Sequence, residues 1–271
     1  AKINLALNVA GKKNLLHNIE SIVRFINLND EILIKKIKSN HHKIKFIGKF
    51  SSNIKSNNTV SRLFRIIDKK KLLKNRYKII IKKNIPQKAG LGGGSMNAAA
   101  ILNFLIKKRL IKVSDKEKIK IANLVGSDVI LGIYTKNLIL KSNNSIKTFL
   151  IKKKISVLIV KPDFGCSTIK IFSLVNKFTK IKFNYPSKNM FSFEFLKKMK
   201  NDLESIALNK YSKLNKLKNF LEKLSNVEFV RMTGSGSAFI AYFNSDKKCK
   251  EAEKKVKKQF RNYWCKTSKT I

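Results

Sequence analysis

Residues 86–96 read Pro86-Gln87-Lys88-Ala89-Gly90-Leu91-Gly92-Gly93-Gly94-Ser95-Met96, setting four glycines within five positions directly ahead of a strongly helix-forming run. No other stretch restricts the fold as tightly. Glycine lets the backbone approach a ligand closely and enter positive φ with little strain. The helix that follows turns unpaired N–H groups and the positive end of its dipole toward the loop. Together these features suit a polyphosphate. The spacing is neither G-x-x-x-x-G-K-[ST] nor G-x-G-x-x-G, because position 95 is Ser, so both common nucleotide fingerprints fail. A glycine-rich turn before a core helix is the alternative that the motif alone leaves open.

The chain has 271 residues, enough for two domains. An apolar content of 43% with 18 Phe points to a globular chain rather than a disordered one. No apolar run nears the ~20 residues of a bilayer span, and the opening residues lack the layout of a secretory signal. Cys166, Cys249 and Cys265 share no metal-ligand spacing, and an odd count of reduced thiols fits the cytoplasm. The net charge of +44 invites a nucleic-acid reading. The lysines are spread along the whole chain, however, beside abundant Ile and Asn, as A/T-biased codons produce. An anionic small substrate is therefore expected, and a nucleic-acid partner is not.

The pattern predicts strands over 3–9, 31–37 and 77–81, a turn over 11–14, and a further strand-like run over 17–25. Residues 40–58 read as a strand plus an irregular connection. Val60, Leu63, Phe64 and Ile67 sit at helical spacing within 59–73, with residues 56–58 available as a cap. Helices are predicted over 95–110 and 114–125, the latter with Ser114 and Glu117 at capping-box positions. A buried-type strand over 155–160 follows a domain boundary between 152 and 153. Beyond it the reading is a loop over 176–190, helices over 192–207 and 211–224, a strand-turn-strand around 233–237, and a lysine-rich helix over 246–260.

Asp128 stands out among only 16 acidic residues, because it lies among small and apolar neighbours where an unpartnered carboxylate is costly. A cap for the next short helix is its ordinary reading. Lys2 alone carries no weight. A second glycine cluster, Met232-Thr233-Gly234-Ser235-Gly236-Ser237, reads as a hairpin turn or, if it converges with the first, as part of a phosphate pocket. No Ser/His/Asp triad, zinc spacing or paired-carboxylate arrangement appears.

Four landmarks in order, Ala1-Lys2-Ile3-Asn4-Leu5, 89–95, Gly126-Ser127-Asp128-Val129 and 232–237, resemble the galactokinase, homoserine kinase, mevalonate kinase and phosphomevalonate kinase superfamily. The resemblance spans essentially the whole chain and is strongest to the branch that phosphorylates a cytidine-diphosphate-linked methylerythritol. It implies an α+β two-domain small-molecule kinase fold, an ATP-binding domain over 1–152 and a C-terminal kinase domain over 153–271, with the ATP cleft between domains. It implies Asp128 as the base and Lys2 as its partner, steadying the moving phosphoryl. It implies ATP contacts from Pro86, Gln87, Lys88, Ala89, Gly90, Leu91, Gly92, Gly93, Gly94, Ser95, Met96 and Asn58, with Mg²⁺ near Ser95. Substrate contacts would come from Asn4, His17, Thr168, Phe172, Gly234, Ser235 and Gly236, with Phe172 stacking on cytosine.

Three positions depart from the family pattern. Met96 replaces a hydroxyl residue after Ser95, Leu16 stands where an aromatic commonly precedes the His, and Ile130 replaces a proline. The loss at Leu16 predicts weaker base binding or a compensating aromatic. The alternatives are another alcohol kinase of the superfamily and a non-catalytic basic RNA-binding protein on the same fold. The expected assembly is a monomer or homodimer.

Overall fold

The structure is a computed structural model that describes residues 1–13 and 16–271. Its elements begin with β1 (Lys2–Lys13), β2 (Leu16–Phe25), β3 (Glu31–Ile37), β4 (Lys43–Ile47), α1 (Thr59–Lys69) and β5 (Arg76–Lys82). Then come α2 (Gly93–Lys107), α3 (Asp115–Val125), α4 (Val129–Ile133), β6 (Asn137–Leu140), β7 (Ile146–Phe149) and β8 (Ser156–Lys161). The remainder is α5 (Thr168–Ser173), α6 (Phe193–Lys198), α7 (Asp202–Lys210), α8 (Lys213–Glu222), β9 (Phe229–Met232), β10 (Phe239–Phe243), α9 (Asp246–Gln259) and β11 (Trp264–Lys269).

These elements form two compact units. The first comprises Ala1, Leu28–Gln87 and Gly92–Thr135, and the second Lys2–Asn27, Lys88–Leu91 and Lys136–Ile271. This division differs from a contiguous split at 152/153. Its cause is strand pairing, since β1 and β2 join β6 and β7 in one antiparallel sheet of order β1-β2-β6-β7.

In the first unit, β3-β5-β4 form a three-stranded sheet with β4 parallel to β5. Tyr77, Ile79 and Ile81 of β5 turn inward by the period-2 rule, while Lys78 and Lys82 face solvent. Helices α1, α2 and α3 supply the rest of that core with Leu63, Ile67, Leu102 and Ile121. Asn58 caps α1, accepting at Oδ1 from the N–H groups of Val60 (3.0 Å) and Ser61 (3.1 Å), while Ser61 Oγ accepts from the Asn58 N–H. Ser114 caps α3 through the Glu117 N–H at 3.2 Å. The expected return arm of that box is replaced by an ion pair between Glu117 and Lys70 at 2.6 Å.

In the second unit a further sheet has the order β11-β8-β10-β9, with β8 buried throughout as its unbroken apolar run predicts. Leu7 and Val9 of β1 share a core with Leu158, Leu203, Leu217 and Phe239. The expected turn at 11–14 is strand through Lys13, and Asn14 lies outside the described residues. The helix expected over 192–207 is interrupted, because Lys200 O accepts from Leu7 N at 3.1 Å and Asn201 bridges to Leu7. The loop over 176–187 is tied down by two carboxylates. Glu20 accepts from the N–H groups of Lys182 (2.9 Å) and Phe183 (3.1 Å), and Asp202 accepts from Thr179 Oγ1 (2.6 Å) and Val9 N (2.8 Å). Among the described residues no helix is long and apolar enough to cross a membrane.

Candidate active site

The glycine loop leaves β5 and enters α2, and its residues divide between the units. Pro86 and Gln87 belong to the first, Lys88–Leu91 to the second, and the residues from Gly92 to the first again. Helix α2 starts at Gly93, behind Gly92 at φ +67°, and no side chain caps it. The N–H groups of its first turn, Ser95 included, therefore have no side-chain cap competing for them. Gln87 braces the loop from one side, donating to Phe50 O at 3.0 Å and Ser52 O at 2.7 Å.

Beneath the loop lies a carboxylate that sequence reasoning did not single out. Asp30 Oδ1 accepts from Asn84 N at 2.7 Å and Ile85 N at 2.9 Å. Its Oδ2 accepts from Asn97 Nδ2 at 2.8 Å and pairs with the Lys83 ammonium. No local pattern marks it, because its partners lie far along the sequence.

Asp128 precedes α4 at its N-cap position, and its side chain makes no capping hydrogen bond there. It is half-buried, not buried as its apolar neighbours suggested. Helix α4 lies hard against α2: a Cβ on Gly132 would meet Ala99 Cβ at 2.7 Å and Met96 Sδ at 3.0 Å. Met96 thus turns its side chain to α4, which accounts for the absent hydroxyl at this position. Asn58, expected beside the nucleoside, spends both ends of its amide on the α1 cap and on Lys55 O and Ser56 O.

In the second unit the two glycine clusters do converge. Ser237 N donates to Lys88 O at 3.1 Å and Ala238 N to Ala89 O at 3.3 Å. Gly90, at φ +74°, admits no side chain, since a Cβ would lie 1.9 Å from Thr233 O. Thr233 Oγ1 donates to Gly90 O at 3.3 Å and accepts from Asn4 N at 3.1 Å. Asn201 Nδ2 fixes the second loop by donating to Met232 O and Gly234 O, both at 2.8 Å.

Lys2 is held at this junction. It is 2% exposed, its N–H donates to Leu91 O at 3.1 Å, and its ammonium donates to Asn4 Oδ1 at 2.7 Å. Asn4, expected on the substrate, instead orients Lys2, with its Nδ2 donating to Ser21 Oγ at 2.8 Å. A Cβ on Gly234 would lie 3.4 Å from Lys2 Nζ.

Three rings gather elsewhere in the second unit. His17 lies 5.2 Å from Phe172 and 6.5 Å from Phe178, centroid to centroid. Leu16 is exposed, and Phe178 is a second ring near His17. Partial burial, with the Lys12 charge adding, holds the His17 imidazole below its usual value, so it is neutral at neutral pH. Thr168 Oγ1 shares a 2.8 Å hydrogen bond with Ser235 Oγ, linking α5 to the second glycine loop. Cys166, Cys249 and Cys265 are free thiols, pushed by burial up to about 11, 12 and 12, too high for nucleophiles. Among the described residues, no three His, Cys, Asp or Glu side chains gather to hold a metal.

Comparison with known proteins adds to this geometry. The family described as GHMP kinases N terminal domain matches residues 58–136. The 4-diphosphocytidyl-2-C-methyl-D-erythritol kinase of Pelagibacter ubique (strain HTCC1062) is 54% identical over 272 residues, which span 100% of this chain and 97% of the relative. A crystal structure of 4-(cytidine 5'-diphospho)-2C-methyl-D-erythritol kinase superposes with a TM-score of 0.78 at 20% identity, covering 99% of this chain and 97% of that one. Homoserine kinase from Cytophaga hutchinsonii ATCC 33406 shares the fold at a TM-score of 0.70 and 14% identity, over 100% of this chain and 93% of that one.

Proposed function

The chain belongs to the 4-diphosphocytidyl-2-C-methyl-D-erythritol kinase family of GHMP kinases, and we propose on that basis how its residues divide the work. The activity is transfer of the ATP γ-phosphoryl group to a hydroxyl of this diphosphocytidyl alcohol, a step of non-mevalonate isoprenoid precursor synthesis. The observation that carries it is the 54% identity along the full chain. The α+β fold of the superfamily agrees.

Phosphoryl transfer asks little covalent chemistry of a protein and depends on positioning and on charge stabilisation. The loop over 86–96 cradles the triphosphate with bare backbone and with the uncapped start of α2. Gly234, Ser235 and Gly236 line the acceptor side. Asp128, which directly precedes α4, takes the proton from the attacking hydroxyl. Lys2 offers an ammonium whose direction is set by Asn4, and it offsets the charge of the moving phosphoryl. His17, Phe172 and Phe178 take the cytosine, the neutral imidazole by hydrogen bonding and the rings by stacking, with Thr168 beside them. A hydroxyl suits Mg²⁺, a hard ion that keeps phosphate and water oxygens as ligands, and Ser95 carries one in the first turn of α2. The proposal includes a cytoplasmic location, where the three thiols stay reduced.

A coupled assay offering the diphosphocytidyl alcohol, homoserine and mevalonate with ATP tests the reading. Turnover is expected only with the first, and Asp128→Asn is expected to lower kcat by at least ~10², the usual share of a positioned base. Phosphorylation of another alcohol instead, or an indifferent Asp128→Asn, would refute it.

A further inference from the structure

We infer that Asp30 is a positioning residue for ATP, a single carboxylate that staples both ends of the glycine loop. The inference rests on the kinase reading for the identity of the ligand. A carboxylate offers about four lone-pair sites, and here all four are filled. Oδ1 holds the exit from β5 through the N–H groups of Asn84 and Ile85, at 2.7 and 2.9 Å. Oδ2 holds the N-terminal part of α2 through Asn97 Nδ2 at 2.8 Å, and it holds Lys83 by an ion pair. The loop from 86 to 96 thus leaves one oxygen of Asp30 and returns to the other.

The side chain of Asp30 is 0% exposed, that of Lys83 is 5% exposed, and Asn97 is 4% exposed, so water does not compete for these bonds. A chain with 16 acidic residues against 60 basic ones has few carboxylates to bury. One is buried under the segment with the least side-chain support of its own. Lys83 reaches the loop as well, since a Cβ on Gly93 would lie 3.4 Å from its ammonium. Four glycines make the loop permissive to ligand and equally permissive to disorder. Holding both ends removes that freedom before ATP arrives, and preorganisation of this kind appears as affinity.

Titration of Mg·ATP into Asn97→Ala, with steady-state kinetics in both substrates, reads the helix-side arm alone. One hydrogen bond to a charged acceptor predicts roughly tenfold weaker ATP binding and a matching rise in KM for ATP. KM for the diphosphocytidyl alcohol is expected to stay within about twofold, a split that a merely structural lesion would not produce. Asn97→Asp sets two carboxylates face to face and should weaken ATP further. Adding Asp30→Asn to it exchanges donor and acceptor and should recover most of the loss. That recovery is read against Asn97→Asp, so it keeps the test open if Asn97→Ala folds poorly. Wild-type ATP affinity in Asn97→Ala, or no recovery in the exchanged pair, overturns the inference alone. A wild-type protein that binds no Mg·ATP overturns the kinase reading and this inference together.

Discussion

A buried ammonium needs acceptors, and the Asn4 amide supplies one to Lys2 at 2.7 Å. The same amide is fixed from behind by Ser21, whose hydroxyl donates to Ala6 O at 2.6 Å. Asn4→Ala removes the acceptor without touching charge. If Lys2 acts on the moving phosphoryl, kcat should fall roughly tenfold while KM for ATP changes little, because the loss is felt chiefly in the transition state. Steady-state kinetics against wild type and Lys2→Ala would check it, and an unchanged kcat would dismiss Asn4 as a positioning group. Lys2 and Asn4 were named as candidates through the family resemblance, but the bond between them was not legible in sequence. A motif gives spacing along a strand; that Lys2 and Asn4 lie on one face follows from period 2, whereas their mutual bond needs the side-chain directions. Asp30 was invisible for a different reason, since its four partners come from 53 to 67 residues away.

At the level of elements, α4 packs closely on α2 at Gly132. Gly132→Ala would set its new carbon 2.7 Å from Ala99 Cβ and 3.0 Å from Met96 Sδ, so α4 has to shift. Overpacking of this kind costs about 1–3 kcal/mol, and the shift would carry Asp128 with it. Urea unfolding should show the loss, and kcat should drop alongside. A variant with the parent midpoint and parent kcat would disprove the coupling between this packing and the carboxylate. Elements with strong periodicity and explicit caps, such as α1 and α3, were readable to within a few residues. Strands β6 and β7 were not, because four residues each carry too little pattern to distinguish them from loop. The break between α6 and α7 was hidden too: helical spacing runs through 199–201, and the backbone of β1 claims that segment instead.

For the molecule as a whole, the charge has a local cost. Lys35, Lys78 and Lys43 stand directly opposite one another across β3, β5 and β4. Like charges in register oppose sheet formation, so Lys78→Glu should raise stability by about 0.5–1 kcal/mol at low ionic strength, with most of the gain lost in 1 M salt. Denaturation midpoints at the two ionic strengths would test it, and a decrease at low salt would contradict the repulsion. The two-unit architecture has a consequence in time. Asn27 N donates to Lys269 O at 2.8 Å, and Ile271 N to Phe25 O at 3.0 Å, so the segment just after β2 is fastened by residues some way past β8 and α9. During synthesis segments fold as their partners emerge, so the backbone groups of Phe25 and Asn27 wait for residues 269–271 before these bonds can form. Phe25 is also the register partner of Lys2, so the edge beside that buried lysine closes only after residue 271 has left the ribosome.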